Sequence, residues 1–379
     1  MSLLQKYEQA ASEWLDRVAA LAPVIEKHRE AIEAERRLPE PLFDAMRDAG
    51  LFRMWLPKQH GGCEVDLVTC RLVFEAVARL DGSAGWCVGI LNEAAGIAAY
   101  LPEAGADEIF VNGNVIAAGS GFPPGQTERV DGGYLVSGTW PLASGSPHAQ
   151  WFWAAVTMTG EDGNPQMRAV VMRSAECRIL DSWYSTGLRG SGSHHFQADR
   201  VFVPDHRLAR VDAPPRIAHS IYPHQYVRVL SPNHAAVGLG VALGALDAFK
   251  ELARTKPGSR GNPPLGEQQM IHALVGRSEI RLRAARLSVV EASAATQAQL
   301  DAEGDISMER FMLNRLAGAH VAAEATAVVG ELYTAAGSSS VYQSSRLDRA
   351  LRDVHTVNQH LSAGPANFAL AGRFLLGGE

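Results

Sequence analysis

Positive charge is in short supply in this 379-residue chain: 35 Lys and Arg stand against 41 Asp and Glu, for a formal net charge of -6. A nucleic-acid surface needs clustered Lys and Arg to replace the counterions around phosphates, so no nucleic-acid partner is expected. Cysteine is scarce too. Cys63, Cys70, Cys87 and Cys177 form no CxxC pair and have no histidines at ligand spacing, so neither a disulfide framework nor a metal site is expected. Reduced thiols in the cytoplasm are the simpler reading. The opening MSLLQKYEQAASEW lacks the basic start and apolar run of a secretory signal. The longest apolar stretch, Ala235 to Phe249, is interrupted by glycines and falls short of the roughly 18 to 20 residues that cross a bilayer, so it reads as a buried helix with no membrane partner. Internal repeats and low-complexity tracts are absent as well, which sets aside solenoid and fibrous architectures.

What is present is an enzyme-sized chain with 46% hydrophobic and 20% charged residues, large enough for two or three packed regions and a buried cofactor. Residues 1–112 read as an N-terminal helical domain, because Leu15, Val18, Leu21 and Ile25 recur at helical spacing and Leu67 to Leu80 forms a second apolar run. Residues 113–211 change period. Tyr134 to Trp140, Trp151 to Met158 and Met167 to Arg173 are short β-rich runs, joined by turn residues at Asp131–Gly133 and Glu161–Asn164. A central antiparallel β-barrel domain is expected there. After Pro214–Pro215, helical periodicity returns over residues 212–379, with a polar Gly/Pro-rich loop at Lys256 to Gly266. This last domain reads as a four-helix bundle, which makes the fold class α+β.

Several motifs occur in a fixed order. They are Gly138-Thr139-Trp140-Pro-Leu-Ala-Ser144-Gly145, Trp183-Tyr-Ser-Thr-Gly187-Leu-Arg189-Gly-Ser191-Gly-Ser193, Val201-Phe-Val-Pro204, Ala335-Ala-Gly337-Ser-Ser-Ser340 and Arg352-Asp353. In this order and spacing the chain resembles the acyl-CoA dehydrogenase superfamily over nearly its full length. The resemblance implies helices, then a β barrel, then a helical bundle, with the Gly138–Gly145 segment as the strand that faces a flavin.

Two departures from that family bear on chemistry. Many such dehydrogenases carry, at the position matching Leu361, the glutamate that removes the substrate α-proton. Leucine cannot take a proton, and residues 214–250, where some members place the base instead, hold no Glu and only Asp247. The thioester-recognising signature is replaced by Ala118-Gly-Ser-Gly-Phe-Pro-Pro-Gly125. In these respects the chain resembles the two-component flavin-dependent monooxygenases of the same fold, which include phenol hydroxylases and the dibenzothiophene monooxygenase. That resemblance implies reduced flavin from a separate NAD(P)H-dependent flavin reductase, reaction with O2 to a flavin C4a-hydroperoxide, and transfer of oxygen to a small aromatic or heteroatom-containing substrate. Reduced FMN is the expected cofactor, with FAD the alternative, since no clear Arg-x-x-Phe diphosphate motif precedes Gln268. A homotetramer is implied as well.

The same resemblance makes His360 a catalytic residue, the base or hydrogen-bond partner near the oxygenated flavin. At about 100° per residue, Leu347, Leu351, Val354, Val357 and Leu361 would form an apolar stripe with His360 at its margin. An imidazole suits such a role at neutral pH, and burial would lower its pKa. A core histidine satisfied by a carbonyl is the plainer alternative. His355 lies roughly 140° away on the same helix and reads as a surface residue. Ser144 is the second catalytic candidate, as the hydrogen-bond partner of flavin N5, against a serine that only completes the turn before Gly145. Trp140, Gly145, Ser191, Ser193, Arg260, Gly337, Ser338 and Ser339 are implied cofactor contacts, and Asn92 and Leu361 candidate pocket residues. Asn92 stands in a segment where many members have a histidine. A flavin dehydrogenase or oxidase with an unconventional base is the competing enzyme reading, and a catalytically silent flavin-binding protein the non-enzyme one.

Overall fold

A computed structural model describes residues 3–160, 163–258 and 261–378, with Leu3 and Asn112 described by their backbone alone. Six α-helices come first: α1 (Leu3–Ala10), α2 (Ser12–Glu35), α3 (Glu40–Asp48), α4 (Leu67–Leu80), α5 (Gly82–Gly96) and α6 (Glu103–Ile109). Asp66 starts α4 by accepting the Val68 and Thr69 N–H groups, and Asp81 both ends α4 and starts α5 by accepting from Ala84. Gly85 lets α5 press onto α4, since a Cβ there would sit 2.5 Å from the Ala78 Cβ.

Seven strands follow: β1 (Ala117–Val130), β2 (Gly133–Ala143), β3 (Trp151–Thr159), β4 (Pro165–Arg173), β5 (Arg178–Leu180), β6 (His194–Pro204) and β7 (Leu208–Ala209). They form one sheet in the order β5-β6-β2-β1-β3-β4-β7. The expected antiparallel barrel is corrected on two points. The sheet is open, and β1 and β3 run parallel, with Ala117 opposite Trp151. The cause is the link at residues 144–150, which leaves the end of β2 and steps over the start of β1 to place β3 on its far edge. This link carries Ser144. Of the turn expected at Glu161–Asn164, Glu161 and Asp162 lie outside the described residues, while Gly163 has φ +78° as such a turn requires.

The chain ends in α7 (Ser231–Thr255), α8 (Gln269–Glu303), α9 (Met308–Ala336), α10 (Arg346–Val357) and α11 (Ala366–Leu375). α7 packs against α4, α5, α8, α9 and α10, so it joins the first helices to the last. Gly240 permits the close approach to α4, because a Cβ there would lie 2.3 Å from the Glu75 carbonyl. The helical segment Tyr226–Thr255 is longer than the apolar run suggested and meets the length and composition of a membrane span, yet 83% of its apolar window is buried inside the protein. It is a core helix, as expected.

The expected helix through Leu361 is also corrected. α10 stops at Val357, because the Asn358 side chain donates to the Ala322 carbonyl of α9 at 2.9 Å, and the chain then turns through His360, whose carbonyl accepts from Ala363 at 2.9 Å. Leu347, Val354 and Val357 keep the apolar stripe, whereas Leu361 is 81% exposed.

Candidate active site

Trp86, on α5, is the centre of the site. Its indole Nε1 donates to Ser144 Oγ at 2.9 Å. Ser144 Oγ lies 2.7 Å from Ser193 Oγ, which lies 2.7 Å from Ser191 Oγ. The link is held rigidly: Gly145, at φ +76°, donates its N–H to the Ser191 carbonyl at 2.8 Å, and a Cβ on it would come within 2.9 Å of Leu91. The same Trp86 ring lies 5.7 Å from the His360 ring and 5.3 Å from that of His234, and the two imidazoles stack with centroids 3.8 Å apart. One indole thus connects the serine hydroxyls of the sheet to a histidine pair of the bundle.

Ser362 fastens that pair, since its Oγ is 2.7 Å from His360 Nδ1 and 2.8 Å from His234 Nδ1. The Ser362 N–H also points at His360 Nδ1, at 3.3 Å. An N–H can only donate, so Nδ1 is the lone-pair nitrogen of His360 and the proton sits on Nε2. Burial, with the Arg315 charge adding to it, lowers the His360 pKa to about 4, so the ring is neutral at pH 7. His234 is pushed well below its ordinary value by burial, then by His360.

A polar chain continues behind the histidines. His234 Nε2 stands 3.6 Å from Glu93 Oε1, which accepts from Asn233 Nδ2 at 2.9 Å, and Asn233 Oδ1 accepts from the fully buried Arg71 at 3.1 Å. Burial raises the Glu93 pKa to about 8 against the opposing pull of Asn233 and Arg71. Nearby, Asp353 accepts the Leu188 N–H at 2.6 Å, and burial, followed by the Asp81 charge, raises its pKa to about 7.

These shifts set opposite pH limbs. A carboxyl raised in the fold stabilises it fully only below the unfolded pKa and loses that contribution as pH rises through the folded value, so Glu93 and Asp353 weaken the fold between about pH 4 and 8. A histidine depressed in the fold stabilises it above the unfolded pKa and loses that contribution as pH falls through the folded value. His360 therefore weakens the fold from about pH 6.5 down to about 4. Asp353→Asn is expected to gain stability relative to the parent as pH rises from 5 to 8, by on the order of 3 kcal/mol. Urea denaturation across that range checks it, and a pH-independent difference contradicts the assignment.

The expected site residues do not all converge. Ser144, Gly145, Ser191, Ser193 and His360 gather around Trp86. Trp140 lies in the sheet core, stacked on Phe196 at 5.0 Å with its Nε1 bonded to the Ala155 carbonyl. Asn92 is fully buried, accepts from the Trp55 N–H and donates to the Leu51 and Val88 carbonyls, which leaves its amide no donor for a pocket. Leu361 faces outward. Gly337 (φ +60°), Ser338 and Ser339 form a turn after α9 at the surface, and His355 is exposed. Arg260 lies outside the described residues. Sequence reasoning missed Trp86 as the hub, along with His234, Ser362 and Glu93. Residues 214–250 lack a glutamate but hold His234, whose place Ser231-Pro232 fixes by marking the helix start.

Comparison with known proteins comes from three directions. Residues 8–109 match the family model "Acyl-CoA dehydrogenase, N-terminal domain", and residues 233–365 match "Acyl-CoA dehydrogenase, C-terminal domain". An indole-3-acetate monooxygenase of Pseudomonas putida is 27% identical over 346 residues, covering 91% of this chain and 89% of its own. The oxygenase component of the FADH(2)-dependent resorcinol hydroxylase of a Rhizobium species is 28% identical over 386 residues, covering 96% and 94%. Among solved structures, the HsaA monooxygenase from M. tuberculosis superposes with a TM-score of 0.89 at 25% identity, over 97% of this chain and 100% of that one. XiaF from a Streptomyces species, solved with FADH2 and glycerol, superposes with a TM-score of 0.92 at 24% identity, over 100% and 98%, which shows the shared fold.

Proposed function

The chain belongs to the acyl-CoA dehydrogenase superfamily, and from that premise we propose that it is the oxygenase component of a two-component flavin-dependent monooxygenase. The observation that carries this reading is the joint attachment of Ser144 and His360 to Trp86, with Leu361, at the position of the dehydrogenation base, turned out to solvent. Relatives at 27–28% identity over about nine-tenths or more of both chains are monooxygenases and hydroxylases, which supports it. The substrate class is a small aromatic or heteroatom-containing molecule.

The residues fit a flavin. Three serine hydroxyls have three hydrogens for two O···O contacts, and Trp86 already donates to Ser144, so one O–H is left over to donate to a ligand. Ser144, Ser191 and Ser193 would hold the polar edge of the ring system, while Gly337, Ser338 and Ser339 would meet the cofactor of a neighbouring subunit in a homotetramer. Reduced flavin, when bound, activates O2 and supplies one oxygen atom to the substrate. The protein binds, orients and excludes water. Its neutral His360 presents the Nε2–H proton, and Nε2 makes no hydrogen bond to any described residue. Trp86 and the stacked imidazoles form an apolar wall in which such a bond gains strength.

Reduced FMN, with FAD the alternative, arrives from an NAD(P)H-dependent flavin reductase, and the thiols Cys63, Cys70, Cys87 and Cys177 are free, in keeping with a cytoplasmic enzyme. The test is oxygen uptake by protein and reduced flavin with a panel of phenols, indoles and thioethers. Substrate-dependent product formation is expected; flavin bleaching by an acyl-CoA without any reductase would instead indicate a dehydrogenase. Ser144→Ala leaves the Trp86 N–H without its acceptor, a loss of about 1–3 kcal/mol in stability. It is also expected to weaken reduced-flavin binding, and unchanged flavin titrations would remove Ser144 from the cofactor site.

A further inference from the structure

The buried polar chain behind His360 has one direction and one end. His234 is 3% exposed and its Nε2 has no hydrogen-bond partner, but Glu93 Oε1 stands 3.6 Å away with only 13% of its side chain exposed. That separation is longer than a hydrogen bond, and contacts of this kind tighten when a ligand closes the site. On the other ring nitrogen, His234 Nδ1 reaches Ser362 Oγ at 2.8 Å, and the same oxygen reaches His360 Nδ1 at 2.7 Å. Since His360 Nδ1 accepts, the Ser362 hydroxyl donates to it, and His234 Nδ1–H donates to Ser362.

We propose that Glu93 is the terminal proton store of a relay that runs through His234 and Ser362 to His360 Nε2. The inference rests on the monooxygenase reading only for what receives the proton. In one turn of the relay, His360 Nε2–H gives its proton to the pocket and His360 Nδ1 takes the Ser362 hydroxyl proton. Ser362 then takes the proton of His234 Nδ1, and His234 Nε2 takes the proton of the Glu93 carboxyl. One O–H bond breaks at Glu93 and one bond to hydrogen forms in the pocket. Both histidines end neutral in the opposite tautomer, Glu93 ends as a carboxylate, and the new His360 Nδ1–H faces the Ser362 N–H donor against donor, which favours its return once Glu93 is reprotonated. Asn233 Nδ2 and the nearby Arg71 charge, whose Nη1 has no partner, stabilise that carboxylate. Glu93 regains a proton from solvent through its exposed edge. His234, Ser362 and Glu93 are positioning and relay residues, and His360 Nε2 is the end of the chain with no hydrogen bond to a described residue.

The charged and titratable groups around the relay come from four further elements. Arg71 of α4 and Tyr226, whose hydroxyl donates to the Glu93 backbone carbonyl at 2.9 Å, face Glu93. His234 of α7 faces both ends, and Arg315 of α9 faces His360. None of these other groups is a carboxylic acid, so a protonated carboxyl in this cluster is Glu93 itself.

The test uses flavin-free protein with 15N-labelled histidine, followed by NMR from pH 6 to 9. When Glu93 ionises, its carboxylate demands a proton on His234 Nε2, so His234 and His360 should exchange tautomers together. A shared midpoint near pH 8 is expected for both rings. Glu93→Gln, nearly the same shape, should abolish the exchange in both. Ser362→Ala should leave the transition at His234 and remove it from His360. In the loaded enzyme, product formed per flavin oxidised should fall above pH 8 in the parent and lose that limb in Glu93→Gln. A His360 tautomer that ignores pH in the parent, or a transition that persists in Glu93→Gln, overturns the relay. Both outcomes are read without flavin, so they are separate from a failure of the monooxygenase reading, which would appear as an absence of oxygenated product in the parent protein.

Discussion

Replacing His360 by alanine is expected to lower the yield of oxygenated product per reduced flavin by about a hundredfold, while O2 consumption continues and hydrogen peroxide accumulates. A positioned acid–base group contributes typically ~10²–10⁴-fold, and this one is held without slack by stacking on His234, by Ser362 and by the edge of Trp86. Alanine removes the Nε2–H and opens the wall to water, so reaction with O2 is no longer tied to the substrate. His360→Asn keeps a donor and should recover part of the yield. Parallel assays of product, peroxide and O2 uptake check this, and unchanged yield in His360→Ala would remove the residue from the chemistry.

The second large effect is expected at Gly187→Ala. A Cβ at Gly187 would lie 2.1 Å from the Arg352 carbonyl oxygen, 2.3 Å from its carbon and 2.6 Å from Thr356 Oγ1. The obstacle is the backbone of α10, which cannot yield easily. Arg352 bonds Asp348 at 2.9 Å and the Thr186 carbonyl at 2.5 Å, and the following residue, Asp353, holds the Leu188 N–H. Leu188 itself sits at φ +49°, so the loop is already committed to an unusual path. Overpacking of this kind costs about 1–3 kcal/mol, and here it would also displace the segment that carries Ser191 and Ser193. Lower thermal stability together with weaker flavin binding is expected. Gly276→Ala, on α8 with open space around the new methyl, is the control and should be neutral or stabilising by about 0.5–1 kcal/mol. Equal behaviour of the two variants would contradict the packing argument.

The order of helices, strands and helices was legible because hydrophobic period changes twice along the chain, at the runs that became β2 to β4 and at the one that became α7. The sheet's openness and its parallel β1–β3 pair were not, because strand periodicity records which face is buried and says nothing of which edges meet. Here the link at residues 144–150 decides that. The end of α10 was misplaced for a related reason. The stripe through Val357 continues on paper to Leu361, but a tertiary bond from Asn358 to α9 stops the helix first. Ser144 and His360 could be picked out from motif and spacing. Their connection could not, since Trp86 reads as an ordinary apolar residue of α5 and His234 lies more than a hundred residues before His360. Asn92 shows the converse: a polar residue in a suggestive segment whose hydrogen bonds all go to backbone.

The proposed reaction passes oxygen activated on flavin at the Trp86 site into a substrate. The most direct measurement is a single turnover of the protein with reduced flavin and 18O2, with stopped-flow absorbance and mass analysis of the product. A transient absorbance distinct from both reduced and oxidised flavin is predicted, followed by one 18O atom in each product molecule, and loss of that label incorporation in His360→Ala. Oxidation of the flavin to the end point with no transient and no label in any product, or flavin reduction by substrate in the absence of O2, would contradict it.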